Sequence, residues 1–292
     1  MDDTLIQFTQ KLSHTIGPEA LYFVHIAGEL ELPEQLSKNY PELLAPLDES
    51  IARDISNKIT KVFGDKPEME IDVIVREGES VHDLIKIGKI KNVDLVIFGK
   101  KPVEEGSGLI PKKIASRSPY SVLMVPAGKQ FSGHFDSILV ATDFSEYSAM
   151  ALEQALVISK PSSGKVHLQH IYNVPLGYYK TGKSFEEFSD IMKGHAQKDM
   201  TQFLFPYEAM KDRIEPHFSL RKGASPSDLI AELAEQVKAS LIIIGSKGRT
   251  GSAGVILGSI ADGVVNQLST TPILVLKRKN ENLSFFEALM KV

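Results

Sequence analysis

The chain contains no cysteine among its 292 residues. That absence excludes disulfides, thiolate catalysis and cysteine-ligated zinc, although it does not by itself fix the compartment. No apolar run approaches the roughly 18 residues needed to span a bilayer. The N-terminus, "MDDTLIQF", is acidic and lacks the basic region and apolar core of a signal peptide. A cytoplasmic location is therefore expected. A formal net charge of -4 argues against a general nucleic-acid-binding surface, which needs clustered positive charge. Several motifs are missing too: a G-x-x-x-x-G-K-[ST] phosphate loop, a G-x-G-x-x-G fingerprint, a G-x-S-x-G elbow and an H-E-x-x-H pair. No catalytic residue and no metal centre of the protein's own is expected from the sequence.

What remains is an ordinary globular composition, 42% apolar and 24% charged, in a chain long enough for two domains. In the second half, "FDSILVATDFS" (135–145) reads as a strand ending in a polar turn, and "EYSAMALEQALVISK" has helical spacing. "KVHLQHIY" and "IEPHFSLRKG" read as the next strands, "SPSDLIAELAEQVKA" as a helix opened by serine and proline, and "SLIIIG" and "PILVLK" as the last two strands. Strands that alternate with helices and are nearly continuously apolar indicate a parallel sheet covered on both faces.

The first half repeats this order at an offset of about 145 residues. "EALYFVHIA" matches "KVHLQHIY", "IDVIVREGESVHDLI" matches "EPHFSLRKGASPSDLI", "VDLVIFG" matches "ASLIIIG", and "SPYSVLMVP" matches "TTPILVLK". Two tandem α/β domains, 1–130 and 131–292, follow, joined near "PAGKQFSGHFD". Met1 aligns with Glu146, so the first domain has no counterpart of the strand "SILVATD". An empty slot there would leave two rows of backbone groups unpaired, at a cost on the order of 1 to 3 kcal/mol for each group left dry. Three resolutions are open: the natural chain begins upstream of Met1, the flanking strands "ALYFVHIA" and "DLVIFG" pair directly, or another segment inserts. The clean loss at the helix start favours the first, which an in-frame upstream "ILVATDFS"-like sequence would support.

The stretch "GSKGRTGSAGVILGS" (245–259) carries the densest signal, because it follows the apolar "LIIIG" and precedes the helix "SIADGVVNQLS". In an open α/β sheet, ligands sit beyond the carboxyl ends of the strands where strand order reverses. There Gly245 and Gly248 can supply close backbone approach to phosphate and positive φ. Gly258 and Ser259, flanked by Ile260, would open a helix whose unpaired N–H groups favour an anion. Lys247 and Arg249 could neutralise phosphate charge, or be plain solvated loop charge.

The spacing of Gly245, Gly248, Gly258 and Ser259, in a repeat with this strand order, resembles the universal stress proteins in their tandem two-domain form. The resemblance covers nearly the whole chain. It implies two open parallel sheets of Rossmann-like order 3-2-1-4-5, related by a pseudo-two-fold with the fifth strands paired, the first sheet lacking its first strand. It also implies a site for ATP, with magnesium carried by the phosphates. By the resemblance, Ala141, Thr142 and Asp143 would meet the base or ribose, Ile171 would offer backbone to adenine, and Ile244 would lie beside Gly245. Asp143 could equally cap the helix that follows it. His170 is read as a satisfied strand-end residue.

In the first half Gly99 is kept, but Pro102, Lys112 and Lys113 replace the second glycine, the third glycine and the serine. Proline fixes φ and removes an N–H donor. The first half is therefore expected to support a binding second half. The expected function is stress response or signalling with ATP as regulatory ligand. The alternatives are a slow ATP hydrolase or nucleotide transferase in the same pocket, for which only Lys247 and Arg249 offer charge, and a nucleotide-free scaffold. Neither membrane nor nucleic acid is expected as a partner. A homodimer has no specific residue behind it, and the tail, with Ser284 and Glu287 spaced as a capping box, is expected to pack on its own domain or a symmetry mate.

Overall fold

The computed structural model describes residues 3–27, 47–65, 69–78, 80–100, 109–249, 257–268 and 270–278. Pro102, the C-terminal tail with its capping box, the side chain of Lys112 and the middle of the glycine stretch (250–256) lie outside the described residues. The elements of the first half are α1 (Asp3–Ile16), β1 (Ala20–Ala27), α2 (Leu47–Phe63), β2 (Glu70–Glu77), α3 (Ser80–Ile90), β3 (Leu95–Lys100), α4 (Leu109–Arg117) and β4 (Ser121–Pro126). Those of the second are β5 (Ser137–Thr142), α5 (Glu146–Ile158), β6 (Lys165–Tyr172), α6 (Phe185–Leu204), β7 (Ile214–Leu220), α7 (Pro226–Gln236), β8 (Leu241–Gly245), α8 (Ser259–Gln267) and β9 (Ile273–Leu276).

The chain divides into two compact units. One comprises Met1–Val93 with Ala127–Gly133, the other Asp94–Pro126 with His134–Val292. The division differs from the boundary near residue 130 that the sequence leads one to expect, because β3 and β4 belong to the second unit's sheet. In the first unit β1 and β2 pair in parallel from Ala20↔Glu70 to Ala27↔Glu77. Their core is Ile6 of α1, Phe23 of β1, and Ile55 and Ile59 one helical turn apart on α2. The linker is anchored to α1, where Phe131 stacks on Phe8 at 4.7 Å and its carbonyl accepts from Lys11 Nζ at 2.7 Å.

The second unit holds a seven-stranded sheet in the order β3-β4-β9-β8-β5-β6-β7. The second half's five strands thus stand in the order 3-2-1-4-5, all parallel. β8 is buried at every position, as its unbroken "LIIIG" requires of a strand covered on both faces. β7 is an edge strand, which is why Pro216 is tolerated in it.

The fifth strands of the two halves pair antiparallel, with Val122 opposite Val275, Leu123 opposite Leu274 and Met124 opposite Ile273. Both are buried throughout this pairing, so two apolar edges are removed from solvent. Two buried lysines reinforce the join from either side. Lys100 Nζ donates to Val265 O and Leu268 O at the end of α8, and Lys277 Nζ donates to Ala115 O and Ser118 O at the end of α4. Each sets its Nζ donor on carbonyls that a helix C-terminus leaves without an intrahelical partner.

Direct pairing of β1 with β3 does not occur. Among the described residues β1 pairs with β2, β3 pairs with β4, and no described strand inserts beside either. The first half's strands are divided between two sheets at the place where "SILVATD" would lie in the second half.

Candidate functional site

A cleft of about 330 Å³ opens at the carboxyl ends of β5, β6 and β8, where the strand order reverses. Ala141, Thr142, Asp143, Ile171, Ile244, Gly245, Lys247, Gly248, Gly258, Ser259 and Ile260 all line it. Ser148, Gln169, His170, Ile230 and Ala261 line it as well. Their side chains reach the cleft from strand register and helix packing, for which single-sequence spacing carries no signal.

The β5–α5 turn is fixed by a hydrogen-bonded relay. Thr142 Oγ1 accepts from the Phe144 N–H at 3.0 Å and donates to Ser148 Oγ at 2.9 Å. Phe144 is held at φ 65, a left-handed conformation that a bulky residue rarely adopts. Its ring stacks on His170 at 4.3 Å, and the His170 imidazole, held below its ordinary range mainly by burial, bonds to Thr142 O at 3.0 Å. His170 is thus a satisfied residue at the cleft wall.

Asp143 is not the cap of α5. That role falls to Ser145, whose side chain accepts from the Ser148 N–H. Asp143 instead accepts from the Ser145 N–H through Oδ1 at 3.1 Å, the local turn that Asp forms two residues on, and from the Arg249 N–H through Oδ2 at 2.7 Å. One carboxylate ties the β5 turn to the loop leaving β8.

Gly245 and Gly248 act differently from the expectation of positive φ, which neither has. A Cβ on Gly245 would lie 2.7 Å from Tyr147 Cβ and 3.1 Å from its backbone, so this glycine lets α5 close on β8. A Cβ on Gly248 would lie 2.5 Å from Asp143 Oδ2, so this one admits the carboxylate. Among the described residues Gly258 meets no such constraint: its φ is -69 and ψ 155, and an added Cβ would meet Ser246 O at 3.4 Å. Gly258 is the N-cap of α8 and offers no side-chain cap, which leaves the first-turn N–H groups of α8 without a side-chain acceptor among the described residues.

Lys247 is buried, with Nζ 5.8 Å from the centroid of the Tyr147 ring. Arg249 is exposed and its guanidinium rests 5.4 Å over the Phe144 ring. The structure brings Lys247 to the cleft wall and does not bring Arg249 there. Behind the loop, burial, with the charge of Lys247 adding, pushes the Lys277 ammonium down to about 7. Gln169 is 1% exposed; its amide nitrogen donates to Ser219 Oγ and Leu229 O, both at 2.9 Å, while Oε1 has no partner among the described residues. The cleft therefore combines an apolar wall, one buried acceptor, one buried cation and an open helix N-terminus. That set suits a ligand with an apolar ring at one end and an anion at the other.

Comparison with known proteins agrees with this geometry. The universal stress protein family model matches residues 134–277, which span β5 to β9. A universal stress protein of Methanocaldococcus jannaschii is 30% identical over 145 residues, 49% of this chain and 83% of that protein. The universal stress protein E homolog of Haemophilus influenzae is 26% identical over 235 residues, 74% of this chain and 73% of that protein. A crystal structure of a universal stress protein from Archaeoglobus fulgidus superposes with a TM-score of 0.63 at 19% identity, covering 95% of this chain and 92% of that one; this is a likeness of fold across both halves. No described helix is long and apolar enough to cross a membrane. The M. jannaschii relative, matched over most of its own length, and the family model that runs through every strand of the cleft together show that this chain belongs to the universal stress protein family.

Proposed function

We propose that the cleft of the second half binds one adenine nucleotide per chain, ATP with magnesium carried by its phosphates, as a regulatory ligand in stress response or signalling. The observation that carries this reading is Gly258. Among the described residues no backbone conformation or packing contact demands glycine there, yet the residue caps α8 at the cleft wall and gives the helix N-terminus no side-chain cap. A missing side chain with no internal reason is accounted for by a ligand that occupies its space, and an anion is what such a terminus attracts.

Ser259 and Lys247 supply a hydroxyl donor and a buried positive charge beside that terminus. Ala141, Ile171, Ile230 and Ile244 give the cleft an apolar wall for a flat base. Gln169 Oε1, an acceptor without a partner among the described residues, matches an exocyclic amino group. Asp143 has both carboxylate oxygens engaged by backbone N–H groups, so its first role is to hold the loop, with its remaining lone pairs left for a ribose hydroxyl. The first half contributes β3 and β4, which extend the sheet beyond β9.

Titration calorimetry with magnesium and ATP tests the reading. One site per chain is expected; two equivalent sites, or no binding at millimolar nucleotide, would overturn it. A single-turnover assay on the same sample is expected to show bound ATP persisting rather than being cleaved.

A further inference from the structure

Away from the cleft, the sheet edge formed by β6 and β7 gathers three side chains that sequence spacing does not join. His167 lies opposite Glu215 in the parallel register, and Gln169 opposite His217. Side chains two apart share a face of a sheet, so His167, Glu215 and His217 project from the same side. His167 Nδ1 is 3.0 Å from His217 Nε2 and 3.3 Å from Glu215 Oε2, and one ligand atom from each residue lies within 4.8 Å of the others. We propose that His167, Glu215 and His217 form a zinc-binding site, with His167 Nδ1, His217 Nε2 and Glu215 Oε2 as ligands and water in the fourth position.

The distances fit the metal. Zinc bonds of about 2.0 to 2.1 Å in tetrahedral arrangement set donor atoms about 3.4 Å apart, close to the two separations observed. Two imidazoles and one carboxylate with an open position is also a donor set that zinc adopts. The ligands stand on adjacent strands of one sheet, which fixes their spacing better than a loop would. The His167 side chain is 11% exposed and that of Glu215 47%, so the site is closed on the sheet side and open to solvent on the other.

The surrounding groups are compatible with a bound cation. Burial lowers the proton affinity of both imidazoles, against the opposing pull of Glu215, which favours the neutral form that ligates. Lys165 Nζ stands 3.6 Å from Glu215 Oε1, the oxygen not directed at His167, and donates to Asp212 O at 2.7 Å. An outer partner of this kind orients a ligating carboxylate. The hydrogen bond between the two rings needs one proton on a ligand nitrogen. Zinc entry moves it to the other nitrogen of that ring, and both rings stay neutral.

The test is titration of metal-stripped full-length protein with zinc chloride in a calorimeter, followed by cobalt substitution. One zinc per chain at micromolar affinity or tighter is expected, and cobalt should give the strong visible absorption of four-coordinate geometry. His217→Ala and Glu215→Gln should each weaken zinc by at least ~10-fold, whereas His195→Ala, an exposed histidine on α6, should not. In the wild-type protein, where no variant has to fold, zinc should shift the imidazole resonances of His167 and His217. No heat and no cobalt spectrum, undiminished binding by His217→Ala, or shifts confined to other histidines would each overturn the assignment.

Discussion

The Asp143 carboxylate accepts the backbone N–H of Arg249 at 2.7 Å, joining two loops 106 residues apart in the chain. Gly248 makes this possible, since a Cβ there would stand 2.5 Å from the same oxygen. Gly248→Ala and Asp143→Ala should therefore act alike, each freeing the loop after β8. We expect each to cost about 1 to 3 kcal/mol of stability and to weaken nucleotide binding. A double mutant should lose less than the sum, because both changes remove one clamp. Additive losses in a calorimetric cycle would show that the two residues act separately.

Gly245 and Gly258 should separate stability from binding. Gly245→Ala drives a Cβ into the backbone of Tyr147, which cannot rotate away, so we expect a loss of about 1 to 3 kcal/mol. Gly258→Lys copies Lys112 of the first half into a position whose φ and surroundings accept a side chain. It should leave stability within about 1 kcal/mol and abolish ATP binding by filling the cleft at the helix N-terminus. Unchanged affinity would show that the phosphates lie elsewhere.

Lys277 should give the fold a pH dependence that its neutral replacement lacks. Above about 10.5 the amine is uncharged whether the chain is folded or not, and there is no linked penalty. As pH falls from there towards 7 the unfolded chain binds a proton that the folded chain, with its amine pushed down to about 7, does not, so stability declines; below about 7 the loss levels off. The difference in unfolding free energy between wild type and Lys277→Met should accordingly rise with pH between 7 and 10, by up to roughly 1.4 kcal/mol per pH unit. The hydrogen bonds to Ala115 O and Ser118 O lost in that variant add an offset that does not vary with pH. Urea titrations at several pH values would measure the slope, and a flat difference would refute it.

The join between the halves should be essential to folding. Val275 and Val122 face each other with no exposed surface. Val275→Asp buries a charge there without a partner, which we expect to cost more than about 4 kcal/mol. Against a total stability of about 5 to 15 kcal/mol, the variant should melt far lower or fail to accumulate as soluble protein. Near wild-type melting by circular dichroism would mean that the two fifth strands contribute little.

The cleft was largely legible because its residues cluster at strand ends that local pattern locates. Ala141 to Asp143 end β5, Ile244 and Gly245 end β8, and Gly258 and Ser259 open α8. Gln169, His170, Ile230 and Ala261 escaped because they sit inside a strand or helix, where only register and packing decide which side chains meet the cleft. Arg249 was expected at the phosphates on its charge and loop position. Its guanidinium rests over the Phe144 ring and it is not among the residues that line the cleft, in keeping with the other reading of it as solvated loop charge.

The alternation of strands and helices and the serine-opened cap of α7 could be read from the linear pattern alone. These depend on hydrophobic period and on hydrogen bonds between near neighbours, which a linear pattern records. Tertiary contacts settled that Gly245 and Gly248 serve close packing rather than positive φ, and the folded arrangement divided the first half's strands between two sheets. It also decided that His167 meets Glu215 and His217. Each of these is set by the register and separation of segments distant in sequence, where a shift of one residue turns every side chain to the opposite face and no local pattern encodes the distance.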